Sequence, residues 1–136
     1  MSPLAPADCI LEHRPYEPFV TREGEKLTYH LPVESGPISK MFTFEITEDE
    51  FTILDADTPR FYFLFALLHE KYQFVLPADG TGYDKLFPRV LLGTGREVEA
   101  LLNHSDAASN GAIANHVADR LGYDYDALRE GEWFQI

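Results

Sequence analysis

An imidazole beside a carboxylate at helical spacing is the one arrangement in this chain that could move a proton. His116 and Asp119 stand three residues apart, so a helix sets both on one face, where the acid can orient the ring for general-base work. His104 and Asp106 lie near the end of the preceding helix. Together the four residues outline a small hydrolase-like enzyme using a His/Asp pair in the C-terminal helices, provided the side chains converge on a pocket. Histidines near helix ends commonly satisfy carbonyls or the macrodipole instead, and that reading weighs against the enzyme.

Other motifs fail on spacing. His69-Glu70 begins a zinc-protease pattern, but the second imidazole belongs where Gln73 stands. His69, Glu70, Lys71 and Gln73 instead mark a helix leaving the core for solvent. Gly93-Thr94-Gly95 precedes a helix and could bare its amides to an anion, yet the lysine of a phosphate loop and the spacing of a dinucleotide fingerprint are missing, so it reads as a cap. Asp79 to Asp84 lacks the ligand spacing of a calcium loop. With no Gly-x-Ser-x-Gly elbow and no Cys-x-x-Cys pair, no cofactor and no metal are expected.

Charge is the stronger signal. The chain carries 23 acidic against 11 basic residues, a formal net charge of -12. Such a field repels nucleic-acid phosphates and anionic lipid surfaces, and it speeds encounter with a basic protein. Glu45, Glu48, Asp49, Glu50, Asp55 and Asp57 fall between Lys40 and Arg60 with no base among them. Part of that group has a local explanation, because carboxylates in a first helical turn complement the macrodipole. A second group, Asp119, Asp124, Asp126, Glu130 and Glu132, is interleaved with Tyr123, Tyr125 and Trp133. Rings among charges have the composition of an interface, in which the rings supply contact and the charges select the partner. The residues expected to meet a partner are Glu48, Asp49, Asp55, Asp57, Tyr123, Asp124, Tyr125, Asp126, Glu130 and Trp133. An acidic surface also serves solubility by itself.

In being small, acidic, single-domain and free of catalytic motifs, the chain resembles bacterial immunity proteins in general type. The resemblance implies a non-enzymatic cytoplasmic binding protein, an immunity protein or antitoxin that neutralises a basic toxin domain by covering its active site. Asp55, Asp57, Asp124, Asp126 and Glu130 would pair with Lys and Arg of the toxin, around an anchor supplied by Tyr123, Tyr125 or Trp133. An adaptor or regulatory subunit is the other binding reading, with Cys9 to His13 or the C-terminal segment adding a strand to a partner.

The elements that position these residues follow from prolines and periodicity. Pro3, Pro6, Pro15, Pro18, Pro32 and Pro37 keep the first forty residues out of helices. Phe19 to Thr21, Lys26 to Leu31 and Met41 to Ile46 read as three antiparallel strands, with Cys9 to His13 a fourth, and turns at Arg22 to Glu25 and Glu34 to Pro37. Thr47 to Glu50 is a capping box opening a short helix to about Ala56. Asp57-Thr58-Pro59 starts a second helix, to about Phe74, whose first half is apolar on every side. Pro77 to Pro88 reads as a loop, and Val90 to Leu92 is too short to assign. Thr94 to Glu97 opens a helix carrying Val98, Leu101 and Leu102; Ser105 or Ser109 caps the next, which ends at Gly122. Asp124 to Glu130 forms one further short helix stopped by Gly131, and the apolar C-terminus docks on the core or on a strand edge.

The expected fold is therefore α+β over residues 1–136 as one domain. An antiparallel sheet of three to four strands (1–46, mainly strand and loop) packs against a central buried helix and is followed by a mainly helical half (47–136). The length and a 45% hydrophobic content are enough for one core. The single Cys9 points to a reducing compartment. No signal peptide is visible, and the longest apolar run, Phe61 to Leu68, falls far short of a membrane span.

Overall fold

Alternating apolar residues do form a sheet in the computed structural model, which describes residues 8–35, 38–73 and 85–134. Strands β1 (Cys9–Glu12), β2 (Phe19–Glu23), β3 (Lys26–Ser35) and β4 (Ile38–Ile46) make an antiparallel meander in the order β1-β2-β3-β4. Pairing of Glu23 with Lys26 closes the β2–β3 turn, where Gly24 takes the positive φ of 63° that a tight hairpin asks of glycine. The alternation expected of Leu27, Tyr29 and Leu31 continues through Val33, and all four are buried on the helix-facing side. Strand β3 extends beyond its expected end: Pro32 lies past Phe19↔His30, the last pair with β2, so this stretch is paired to β4 alone. A proline is tolerated there because the strand has become an edge.

Helix α1 (Glu48–Ala56) begins at the Thr47 capping box, with the Glu50 amide donating to Thr47 Oγ1 at 3.1 Å and the Thr47 amide to Glu50 Oε1 at 2.9 Å. The Asp57 carboxylate accepts from the Arg60 amide at 3.1 Å and starts α2 (Thr58–Tyr72), with Pro59 in the first turn. Every residue from Phe61 to Leu68 is buried, so α2 is the central helix, touched on all sides. The expected extension to Phe74 and Val75, like the Asp79 to Asp84 loop, lies outside the described residues.

Two local expectations are corrected. The stretch around Pro88 and Val90 forms a helix, α3 (Leu86–Leu91). Pro88 sits in its first turn, where its missing N–H would have no helical acceptor, and Leu86, Phe87, Val90 and Leu91 are all buried. Helix α4 (Gly95–Ala108) opens with the expected Thr94–Glu97 capping box, but neither Ser105 nor Ser109 caps α5 (Ala112–Leu121). The N-cap is Gly111 at φ 90°, and the first-turn amide of Ala114 donates instead to the Asp106 carboxylate at 2.8 Å. Gly122 ends α5 in the left-handed conformation, and Asp124 caps the short α6 (Tyr125–Arg129). Helix α5 packs along α2, placing His116 and Arg120 over Phe65.

The last described residues dock on the core. Trp133 is fully buried edge-on to Phe63, and Phe134 packs on the same ring. Apart from Phe19, which stacks on His30, the buried apolar residues of sheet and helices form one continuous cluster. The α+β architecture, with its N-terminal antiparallel sheet and helical C-terminal half, is as the sequence implies. Among the described residues no helix is long and apolar enough to cross a membrane.

Candidate functional site

The imidazoles and carboxylates of the C-terminal helices do not assemble into a proton-transfer site. Asp106 is buried and committed: one oxygen accepts from the Ala114 amide at 2.8 Å and the other pairs with Arg129 Nε at 3.0 Å. It ties α4 to α5 and α6. His104 stands exposed on the opposite side of α4, in an open groove of 650 Å³ formed with Pro88, Arg89, Leu92 and Leu101.

His116 and Asp119 do share a cleft of 340 Å³ with His69, Glu70, Asn115 and Arg120. Their chemistry is nonetheless wrong for a base and its orienting acid. The His116 ring lies 4.6 Å from Phe65 and 5.5 Å from His69 between centroids, and its Nε2 is buried with no hydrogen-bond partner. Burial, then the charges of His69 and Arg120, push its pKa down to about 3. A base that weak is mismatched to catalysis near neutrality. Asp119 is exposed and makes no hydrogen bond or ion pair among the described residues, so nothing orients the imidazole. His69, Glu70, Lys71 and Gln73, expected to face solvent, are only partly exposed because α5 covers that turn of α2. Among the described residues no group of three or more His, Cys, Asp and Glu is arranged to hold a metal ion.

The acidic residues divide by what they already do. Glu48 forms a two-pronged pair with Arg22 at 2.8 and 3.2 Å, a solvent-exposed contact. Asp57 is occupied with the N-terminus of α2 and with Arg60 Nε at 3.2 Å. Asp49, Asp55, Asp126 and Glu130 are exposed and have no basic partner among the described residues, while exposed Asp124 accepts only the Ala127 amide at 3.1 Å. The two groups approach each other at Asp57 and Tyr123, because α5 packs along α2 with His116 near His69 and Arg120 near Phe65 and so leads the chain back toward the start of α2. Burial raises the Tyr123 phenol above its ordinary range, and the nearby Asp57 charge adds to that effect.

Of the three rings expected as anchors, Trp133 is corrected: it is 0% exposed and its Nε1 donates to Asn103 Oδ1 at 2.7 Å, so it is a core residue. Apolar area drew it inward, and the indole N–H found an internal acceptor. Tyr123 is half-buried, and Tyr125 is 38% exposed with its hydroxyl accepting from Arg129 Nη1 at 3.1 Å. The C-terminal segment adds no strand among the described residues; β1 and β4 are the edges of the sheet.

Sequence reasoning passed over Glu17. Its side chain is 0% exposed, accepting from the Tyr62 hydroxyl at 2.7 Å and from Arg120 Nη1 at 2.6 Å. Those partners lie 45 and 103 residues along the chain, so no local spacing marks the site. The only sequence signal is a carboxylate set between two prolines at the start of an apolar strand. This pairing clamps the β1–β2 loop onto α2 and α5.

No known protein family, curated protein or solved structure matches this chain.

Proposed function

We propose that the protein is a non-enzymatic binding protein, of the immunity-protein or antitoxin kind, that covers a basic protein domain with an acidic surface. The observation carrying this reading is the juxtaposition of Asp57 and Tyr123, which sets the last turn of α1 beside the α5–α6 segment. Asp55, Asp124, Asp126 and Glu130 are exposed carboxylates without a basic partner among the described residues, and Tyr125 adds exposed aromatic area on the same segment as the last three.

Each exposed ion pair with a partner would contribute only about 0.2–1 kcal/mol. Acting together, several such charges raise the association rate by about 10-fold to 1000-fold at low salt. The mechanism is occlusion: carboxylates select a cationic surface and the aromatic contact excludes water from it.

Co-expression with the product of the neighbouring gene, followed by binding kinetics on the purified pair, tests the proposal. The complex should associate more slowly as salt rises, and Asp55→Lys with Asp124→Lys should weaken it at least tenfold. Association insensitive to both salt and charge reversal refutes the electrostatic mechanism.

A further inference from the structure

We infer that Tyr16, on the loop between β1 and β2, is a docking anchor for a protein partner, distinct from the acidic surface. Six described residues adopt positive φ: Gly24, Gly111, Gly122, Gly131, Asn110 and Tyr16. Glycine has no Cβ to clash, and asparagine tolerates the left-handed region. Tyr16, at φ 68°, is the exception. For a bulky L-residue this conformation lowers the folded-to-unfolded ratio by about 5-fold to 30-fold.

The Tyr16 side chain itself recovers none of that penalty through contacts among the described residues. The Tyr16 side chain is 63% exposed, the highest value among the exposed large hydrophobic residues, and it makes no hydrogen bond or ring contact among the described residues. The strained conformation is imposed by what flanks it. Glu17 is locked between Tyr62 and Arg120, its amide donates to the Arg14 carbonyl at 3.3 Å, and Pro15 and Pro18 restrict the backbone on either side. The backbone that carries the ring is therefore fixed, so binding has only the side-chain rotamer left to order. Tyrosine supplies a large contact area with few rotatable bonds, which is why it is enriched among binding hot spots.

Charge indicates the kind of partner. Arg14 is exposed two residues away and has no ion-pair partner among the described residues, in a chain with 23 acidic residues. An exposed phenol ring two residues from an exposed guanidinium with no ion-pair partner among the described residues fits an apolar pocket rimmed by carboxylates, the opposite sign from the ligand of the acidic face. The inference rests on the reading of this chain as a protein-binding protein.

A random phage-displayed peptide library selected on the full chain tests it. Enriched peptides are synthesised and titrated against wild type, Tyr16→Asn and Tyr16→Ala, and each variant is melted. Peptides combining apolar residues with Asp or Glu should lose at least about tenfold in affinity on both variants. Tyr16→Asn should melt roughly 3 to 7 °C above wild type, because its short amide can hydrogen-bond the local backbone in the left-handed region, whereas Tyr16→Ala, which lacks that amide, should not. Enriched peptides that bind all three forms equally, or a Tyr16→Asn variant that melts no higher than wild type, would overturn the inference. Peptides rich in Lys and Arg that respond to Asp55→Lys and Asp124→Lys but not to Tyr16 substitution would uphold the acidic surface and sink the Tyr16 anchor. The converse result would separate the two claims in the other direction.

Discussion

Acid should loosen the α2–α5 packing through a single imidazole. His116 is sandwiched against Phe65 and His69, with Arg120 one turn further along α5 and Glu70 and Asp119 on the same cleft. Its pKa falls from 6.5 to about 3 through burial first, then through the charges of His69 and Arg120. The folded ring thus stays neutral over a range in which the unfolded chain takes up a proton. Stability associated with this residue is intact above pH 6.5, declines below it, and goes on declining until the pH reaches about 3. At about pH 5, roughly 1.5 pH units below the ordinary value, the loss is about 2 kcal/mol. For a chain of this length that is a fall in melting temperature of roughly 7 °C. Urea denaturation of wild type and His116→Leu at about pH 7.5 and about pH 5 measures the effect. Carboxylates elsewhere titrate in both proteins and cancel in the comparison, so wild type should lose about 2 kcal/mol more than the variant. Equal losses would refute the assignment of a buried, neutral imidazole at this position.

Two further substitutions probe the packing that supports the binding surfaces. Glu17→Ala leaves the Tyr62 hydroxyl and Arg120 without their shared acceptor and should cost about 2 kcal/mol in urea denaturation, less than a fully buried pair because Arg120 keeps solvent contact. A loss below about 0.5 kcal/mol would mean that water replaces the carboxylate freely. Trp133→Ala should cost about 3–5 kcal/mol, from the cavity against Phe63 and the lost bond to Asn103. A Trp133→Ala protein as stable as wild type would return this ring to the list of surface anchors.

Where the sequence was legible, short-range physics made it so. Capping boxes at Thr47 and Thr94 need only residues three apart, and both form as their spacing implies. Period-two alternation placed Leu27, Tyr29 and Leu31 on one face, and an all-apolar run placed α2 at the centre. The errors share a different character. Asp106 looked free beside His104, yet it caps α5 and pairs with Arg129, because helices α4, α5 and α6 fold back on one another. Trp133 looked like part of an acidic, aromatic interface, yet it serves the core.

What the amino-acid order determined by itself was the element sequence apart from α3, the identity of the buried helix and the sign of the surface, since caps, periodicity and net charge depend on neighbours along the chain. Only the tertiary structure decided which charges remain uncompensated, that α5 returns Tyr123 to Asp57, and that Glu17 clamps a loop holding Tyr16 in a strained conformation. Burial and electrostatics act through space, and residues 45 or 103 positions apart become neighbours only when the chain has packed.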